Sequence, residues 1–173
     1  MTGRDLDRLP GRDLPGLEPD WSRIVTTTAT DGVRHRWHVL DNGVEPTAGT
    51  MLCVHGNPTW SYLWRRLLAT APPGWRVVAP DHLGMGFSER SGAPRTLAER
   101  ISDLGTLTDA LGVSGPGSVV VVAHDWGGPI SLGWVLAHRK QVRAIVLTNT
   151  AVHHPAGSAA PALIRLARSA ALR

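Results

Sequence analysis

An aspartate set between five apolar residues and a pair of glycines is the first residue in this chain whose surroundings suggest chemistry. Val119–Ala123 is apolar on both faces, as a buried parallel strand is, and it runs through His124 into Asp125-Trp126-Gly127-Gly128, with a helix expected over 129–139. Small residues two positions either side, Ala123 and Gly127, let the strand and helix backbones approach closely while the turn pushes residue 125 out of the end of the sheet. The N-terminus of the helix behind it favours negative charge. A carboxylate placed there can attack an electrophilic carbon and carry it as an ester, whose carbonyl water must then attack. Taken alone, an aspartate after a strand is as commonly a helix N-cap. The flanking small residues and two further motifs at strand ends favour the nucleophile.

The second motif is Leu52–Trp64, a strand followed by His55-Gly56-Asn57-Pro58. A loop of this kind offers a backbone N–H to a developing oxyanion, and the residue after the nucleophile, Trp126, offers the other. Asn57 adds a side-chain amide and Trp126 an indole N–H, which donates but cannot accept. Two neutral donors beside a carboxylate nucleophile suit a departing anion. The plain alternative for Asn57 is a turn residue filling a loop. His55, Gly56, Pro58, His124 and Gly127 are read as support for these groups. The third motif, Asp81–Ser88, is read as structural, with glycines for a tight loop and Asp81 capping local N–H groups. Gly84 and Gly86 lack the third glycine and the acidic partner of a dinucleotide fingerprint.

The elements that must carry these residues follow from periodicity. Residues 22–29 and 33–40 are rich in β-branched and aromatic residues around Asp31-Gly32 and predict a hairpin. Short apolar runs at 50–55, 76–79, 118–123 and 144–147 predict buried strands. Apolar residues at helical spacing predict helices over 60–70, 95–112 and 129–139, the second with a stripe of Leu97, Ile101, Leu104, Leu107 and Leu111. Strands alternating with helices predict a mainly parallel α/β sheet with the antiparallel hairpin at one edge, and function at the carboxyl ends of its strands. All three motifs fall at such ends. The domain reading is an N-terminal arm over 1–20, a core over 21–150 and, over 151–173, an Ala- and Pro-rich stretch with an amphipathic piece at 162–172. No internal repeat is present.

Composition narrows the class of function. The 173 residues are 42% hydrophobic and 18% charged, enough for a packed core. The net charge of +4 is spread without a basic run, which argues against nucleic acid. Arg139 and Lys140 sit at an expected helix end, where cations are favoured anyway. The single cysteine, Cys53, cannot form an internal disulfide and lies in an apolar run, so a buried, inert thiol is expected. There is no signal-peptide pattern and no run of about 18 apolar residues, so no membrane span and a cytoplasmic location are expected.

The run from His55 to Arg65 (HGNPTWSYLWR), together with His124–Gly128 (HDWGG), resembles the haloalkane dehalogenases of the α/β-hydrolase superfamily. The resemblance covers about residues 20–160. It implies an α/β-hydrolase fold with Asp125 as nucleophile, Asn57 and Trp126 as halide ligands, a small hydrophobic substrate such as an alkyl halide, and no cofactor or metal. Soluble epoxide hydrolases usually carry an aromatic residue in place of Asn57, followed by Pro-Glu, and fluoroacetate dehalogenases an arginine after the nucleophile. A dehalogenase-like enzyme of bacterial olefin biosynthesis decarboxylates a β-lactone to an alkene and is often fused to a ligase-like partner. The stretches APPGWRVVAPDHLGMGFSER and LTNTAVHHPAGSAAPALIRLARS are similar to that branch.

The resemblance also implies a histidine base near the end of the fold and an acid after the sixth or seventh strand. Thr148-Asn149-Thr150 holds no carboxylate, so the acid is expected after the seventh strand, beyond residue 173. His153 and His154 are read as hinge or surface residues rather than bases. The chain is thus read as an N-terminal fragment, truncated before the last strands and most of a helical cap, with an uncovered edge at 144–149 and no turnover of its own. Two further alternatives stand. One is epoxide hydrolysis, which would need two cap tyrosines where the chain offers only Tyr62; the other is a binding module without catalysis.

Overall fold

The computed structural model describes residues 14–90 and 92–151. Six strands form one sheet: β1 (Ser22–Thr28), β2 (Arg34–Asp41), β3 (Gly49–Val54), β4 (Trp75–Pro80), β5 (Val119–His124) and β6 (Val142–Thr148), in the order β1-β2-β4-β3-β5-β6. β1 pairs antiparallel with β2, and β2 antiparallel with β4; the pairs β3–β4, β3–β5 and β5–β6 are parallel. The expected hairpin therefore sits at one edge and joins the parallel part through β4. Its tight turn is closed by the N–H of Gly32 donating to the carbonyl of Ala29 at 2.9 Å, with Gly32 at φ 76°.

Residue alternation along the strands separates two cores. Trp37, Val39, Leu52, Val54, Val78, Val121 and Ala123 face one side, where α2 (Leu97–Ala110) and α3 (Gly127–Ala137) supply Leu104, Leu107, Ile130 and Trp134. Leu40, Cys53, Val77 and Ala79 face the other, covered by Leu68 of α1 (Arg65–Ala69) and by Leu17. Cys53 is fully buried, and burial pushes its thiol well above the ordinary range, as an inert core cysteine requires. Of the arm expected over 1–20, residues 1–13 lie outside the described residues; from Leu14 onward the chain packs against the second core, with Leu17 buried and Pro19–Trp21 in a 3₁₀ turn.

The helices start where their caps dictate. Thr96 caps α2 with a reciprocal box, its hydroxyl oxygen accepting from the Glu99 N–H while the Glu99 carboxylate accepts from the Thr96 N–H at 2.7 Å. The helix expected over 60–70 divides into a 3₁₀ turn at Ser61–Trp64 and the single α-turn α1, because Trp60 is extended and no side chain caps the start. Helix α3 begins at Gly127, two residues earlier than the periodicity indicates, directly behind Asp125. The outer edge of β6 has no strand partner among the described residues, and Ile145, Val146 and Leu147 are exposed there. No described helix is long and apolar enough to cross a membrane. The expected cap segment at 151–173, with His153 and His154, lies outside the described residues except for Ala151.

Candidate active site

Strand β5 ends at His124, and the chain turns through Asp125 and Trp126 into α3. Asp125 has φ 51°, a left-handed conformation that costs a residue with a Cβ about 1–2 kcal/mol. The turn is held from both sides. The Asp125 N–H donates to the Thr148 carbonyl at 3.2 Å, and its carbonyl accepts from the Gly128 N–H at 3.0 Å and from the Thr150 hydroxyl at 2.6 Å. Of the small residues expected at the corner, Gly127 is explained by contact, and Gly128 beside it is restricted in the same way. A Cβ on Gly127 would collide with the Val54 carbonyl, and one on Gly128 with the Thr150 side chain.

The loop after β3 lies against this corner. The backbone N–H of Asn57 donates to Asp125 Oδ1 at 2.9 Å. A Cβ on Gly56 would meet the Asp125 side chain and come within 2.7 Å of the Trp126 nitrogen, so the Trp126 N–H lies beside the same carboxylate. That N–H makes no hydrogen bond among the described residues. The sequence indicated a backbone N–H from this loop and the Asn57 side-chain amide as donors; in the structure the backbone N–H of Asn57 makes the contact to Asp125, while Asn57 is exposed and its side-chain amide is unbonded among the described residues. Trp126 is 47% exposed, with its indole N–H likewise unbonded among them. Trp126 follows Asp125 in the chain, Asn57 is brought beside it by its backbone bond from 68 residues away, and neither side-chain donor is tied to another group among the described residues.

The supporting residues act through backbone contacts. His55 Nδ1 donates to the Gly56 carbonyl at 2.7 Å, and its Nε2 accepts the His82 N–H at 3.0 Å. His82 Nε2 returns a hydrogen bond to the His55 carbonyl at 2.9 Å. An imidazole that must accept is neutral, and burial, the largest cause, lowers the pKa of His55 below its usual 6.5. Burial, followed by the neighbouring His55 imidazole, which disfavours a second proton in the pair, brings His82 down to about 3. Neither ring is a proton donor or acceptor for Asp125. The Asn57-Pro58 peptide is cis. His124 is half-buried, and its Nδ1 is enclosed without a partner among the described residues.

The Asp81–Ser88 loop is the scaffold expected of it. Asp81 is fully buried; its Oδ1 accepts the Ser61 N–H at 2.7 Å, and its Oδ2 accepts the Phe87 N–H at 2.8 Å and His38 Nδ1 at 2.9 Å. Burial alone would raise its pKa, but the His38 hydrogen bond, the nearby imidazoles and the Phe87 N–H outweigh it and hold the carboxyl below its ordinary value. Sequence reasoning missed His38, Ser22 and Thr150 as parts of this site. No local motif marks them, since each meets its partner across the sheet. Among the described residues no group of His, Cys, Asp or Glu could hold a metal ion.

Residues 49–169 match the family model described as alpha/beta hydrolase fold. Over 121 residues the chain is 43% identical to the cis-3-alkyl-4-alkyloxetan-2-one decarboxylase of Xanthomonas campestris pv. campestris, covering 65% of this chain and 39% of that protein. Over 146 residues it is 40% identical to haloalkane dehalogenase 2 of Mycobacterium tuberculosis, covering 84% of this chain and 46% of that one. The solved structure of a tetrameric haloalkane dehalogenase from Paraglaciecola agarilytica superposes with a TM-score of 0.71 at 28% identity, covering 82% of this chain and 46% of its own. The chain thus spans less than half the length of each of these relatives.

Proposed function

The chain belongs to the alpha/beta hydrolase fold family, and from that premise we propose that Asp125 is a covalent nucleophile toward saturated carbon, acting in a dehalogenase-type reaction. One observation carries the reading: a carboxylate at the strand-to-helix corner, with Oδ1 held by the Asn57 N–H at 2.9 Å. In the first step a carboxylate oxygen of Asp125 attacks the carbon of an alkyl halide. A C–O bond forms, the C–halogen bond breaks, and the halide leaves with the electron pair. The Trp126 indole N–H and the Asn57 amide receive that anion. In the second step water attacks the carbonyl carbon of the Asp125 ester, releasing the alcohol and a proton and restoring the carboxylate. That step needs a base, and no histidine is hydrogen-bonded to Asp125 among the described residues.

The second reading rests on the 43% identity to the oxetanone decarboxylase. There the same carboxylate opens a β-lactone at the carbon bearing the ring oxygen, giving a β-acyloxy carboxylate. Loss of CO2 then expels Asp125 and forms the alkene, so no water is consumed. Finding a ligase-like domain in the coding sequence downstream of Arg173 would favour this reading. Epoxide opening needs a phenol donor, and the only tyrosine, Tyr62, spends its hydroxyl on the Pro15 carbonyl at 2.8 Å.

The test is intermediate trapping. The chain is incubated with 1-bromohexane or with a cis-3,4-dialkyl β-lactone, digested and read by mass spectrometry. The proposal expects a hexyl ester on the peptide containing Asp125 with one equivalent of bromide released, or alkene from the lactone. Absence of both, across chloro-, bromo- and iodoalkanes, refutes it.

A further inference from the structure

The molecule contains a second set of residues in the order of a charge relay. Ser22 Oγ is 2.7 Å from His38 Nε2, and His38 Nδ1 is 2.9 Å from Asp81 Oδ2. All three are buried, and Phe87 lies with its ring 5.6 Å from that of His38. The Asp81 carboxylate is further occupied by the Ser61 and Phe87 N–H groups, so nothing there can admit a substrate. The chain of bonds is satisfied at every member, which is the condition for a buried polar network to rigidify what it touches.

What it touches is the loop that carries Asn57. The dipeptide Asp81-His82 grips that loop at both ends. On one side the His82 N–H and ring bond to His55 Nε2 and to the His55 carbonyl, and His55 in turn holds the Gly56 carbonyl. On the other side Asp81 Oδ1 takes the Ser61 N–H at 2.7 Å. Between these grips lie Gly56–Trp60, and only the Thr59 hydroxyl, bonded to the Gly56 N–H and carbonyl, braces the loop internally. The His38 N–H donating to Ser88 Oγ, which donates to the Asp81 carbonyl at 2.7 Å, locks the same dipeptide from below.

We infer that Ser22, His38 and Asp81 are positioning residues that set the Asn57 N–H against Asp125 Oδ1, acting through the two-ended grip of Asp81-His82 on residues 56–60. As a statement about the loop this stands alone; as a statement about reactivity it rests on Asp125 being the nucleophile. Removing the Ser22 hydroxyl strips His38 Nε2 of its partner, frees the ring to turn, and relaxes the Asp81 carboxylate that holds Ser61.

The experiment uses the full chain and two readouts, on Ser22→Ala and on Ser22→Thr, which keeps the hydroxyl. The first is amide hydrogen exchange resolved by residue. In Ser22→Ala the Asn57 and Ser61 amides exchange about tenfold faster or more, the Leu52, Val54, Val121 and Ala123 amides keep their rates, and Ser22→Thr restores the original pattern. Unchanged exchange at Asn57, or equal acceleration in β3 and β5, overturns the inference. The second is the rate of Asp125 alkylation by 1-bromohexane. It falls on the order of 10²-fold for a displacement near 1 Å, with the half-saturating concentration unchanged. If the unsubstituted chain forms no adduct while the exchange pattern holds, the nucleophile reading fails and the grip stands. If the adduct forms at the same rate in Ser22→Ala, the inference that the grip sets the reactivity of Asp125 is overturned and the nucleophile reading stands.

Discussion

Replacing Gly56 by alanine separates positioning from binding more cleanly than any change to a charged group. Gly56 has an ordinary backbone conformation, so alanine meets no φ penalty and acts only through its Cβ. That carbon would lie 2.5 Å from Asp125 Cβ and 2.7 Å from the Trp126 nitrogen. Ordinary contacts between carbons are about 3.5–4.0 Å, so the loop and the corner must part by about 1 Å. A shift of that size in a reacting constellation costs ~10²-fold in rate. Overpacking of this kind costs about 1–3 kcal/mol in stability; the middle of that range, about 2 kcal/mol, lowers the melting temperature of a chain of this size by roughly 4–8 °C. The assay is the time course of Asp125 alkylation by 1-bromohexane at a temperature where both proteins are folded, beside thermal melts. Alkylation by Gly56→Ala at the rate of the parent would show that the Asn57 loop does not set the reactivity of Asp125, and the proposed site would lose its oxyanion side.

Asp125→Asn keeps the left-handed residue and the bond from the Asn57 N–H, so it should melt within ~1 kcal/mol of the parent yet lose alkylation by ~10⁴-fold; unchanged properties throughout favour a binding module. Trp126→Phe removes the indole N–H, and bromide affinity measured by calorimetry should fall about 10–100-fold, the worth of one hydrogen bond to an anion. Thr150→Val deletes the 2.6 Å bond to the Asp125 carbonyl and should cost ~1 kcal/mol in denaturant melts, with no loss if the bond is idle. Between pH 6.5 and about 3 the unfolded chain binds a proton on residue 82 that the fold refuses. Stability should therefore fall as pH drops through that window and be fully present above it. His82→Gln should flatten this fall, leaving the part due to His55, whose lowered pKa acts below 6.5 in the same direction, and, below 3.8, the part due to Asp81; an equally steep profile in His82→Gln contradicts the assignment.

Much of the fold was legible because its signals are local. The run Val119–Ala123 reads as a strand because Val119, Val121 and Ala123 are buried against α2 and α3 while Val120 and Val122 are half-buried on the other face, and Asp31-Gly32 marks a turn because glycine accepts φ 76° there. The corner at Asp125 was legible for the same reason, since strand, small residue, aspartate and glycine are contiguous. Periodicity failed where a helix lacked a cap, at residues 60–70, and where α3 begins without one behind Asp125.

The sequence by itself marked the side chains proposed for chemistry, the carboxylate of Asp125 and the donors of Asn57 and Trp126, and the loops that bear them. Tertiary structure decided which atom of each residue meets which. That Asn57 reaches Asp125 through its backbone, that Thr150 holds the Asp125 carbonyl, and that Ser22 and His38 complete the Asp81 carboxylate all depend on pairings across 16 to 68 residues of sequence. Such pairings arise from sheet order and register, and a spacing rule within one segment carries no information about an atom brought in from another strand.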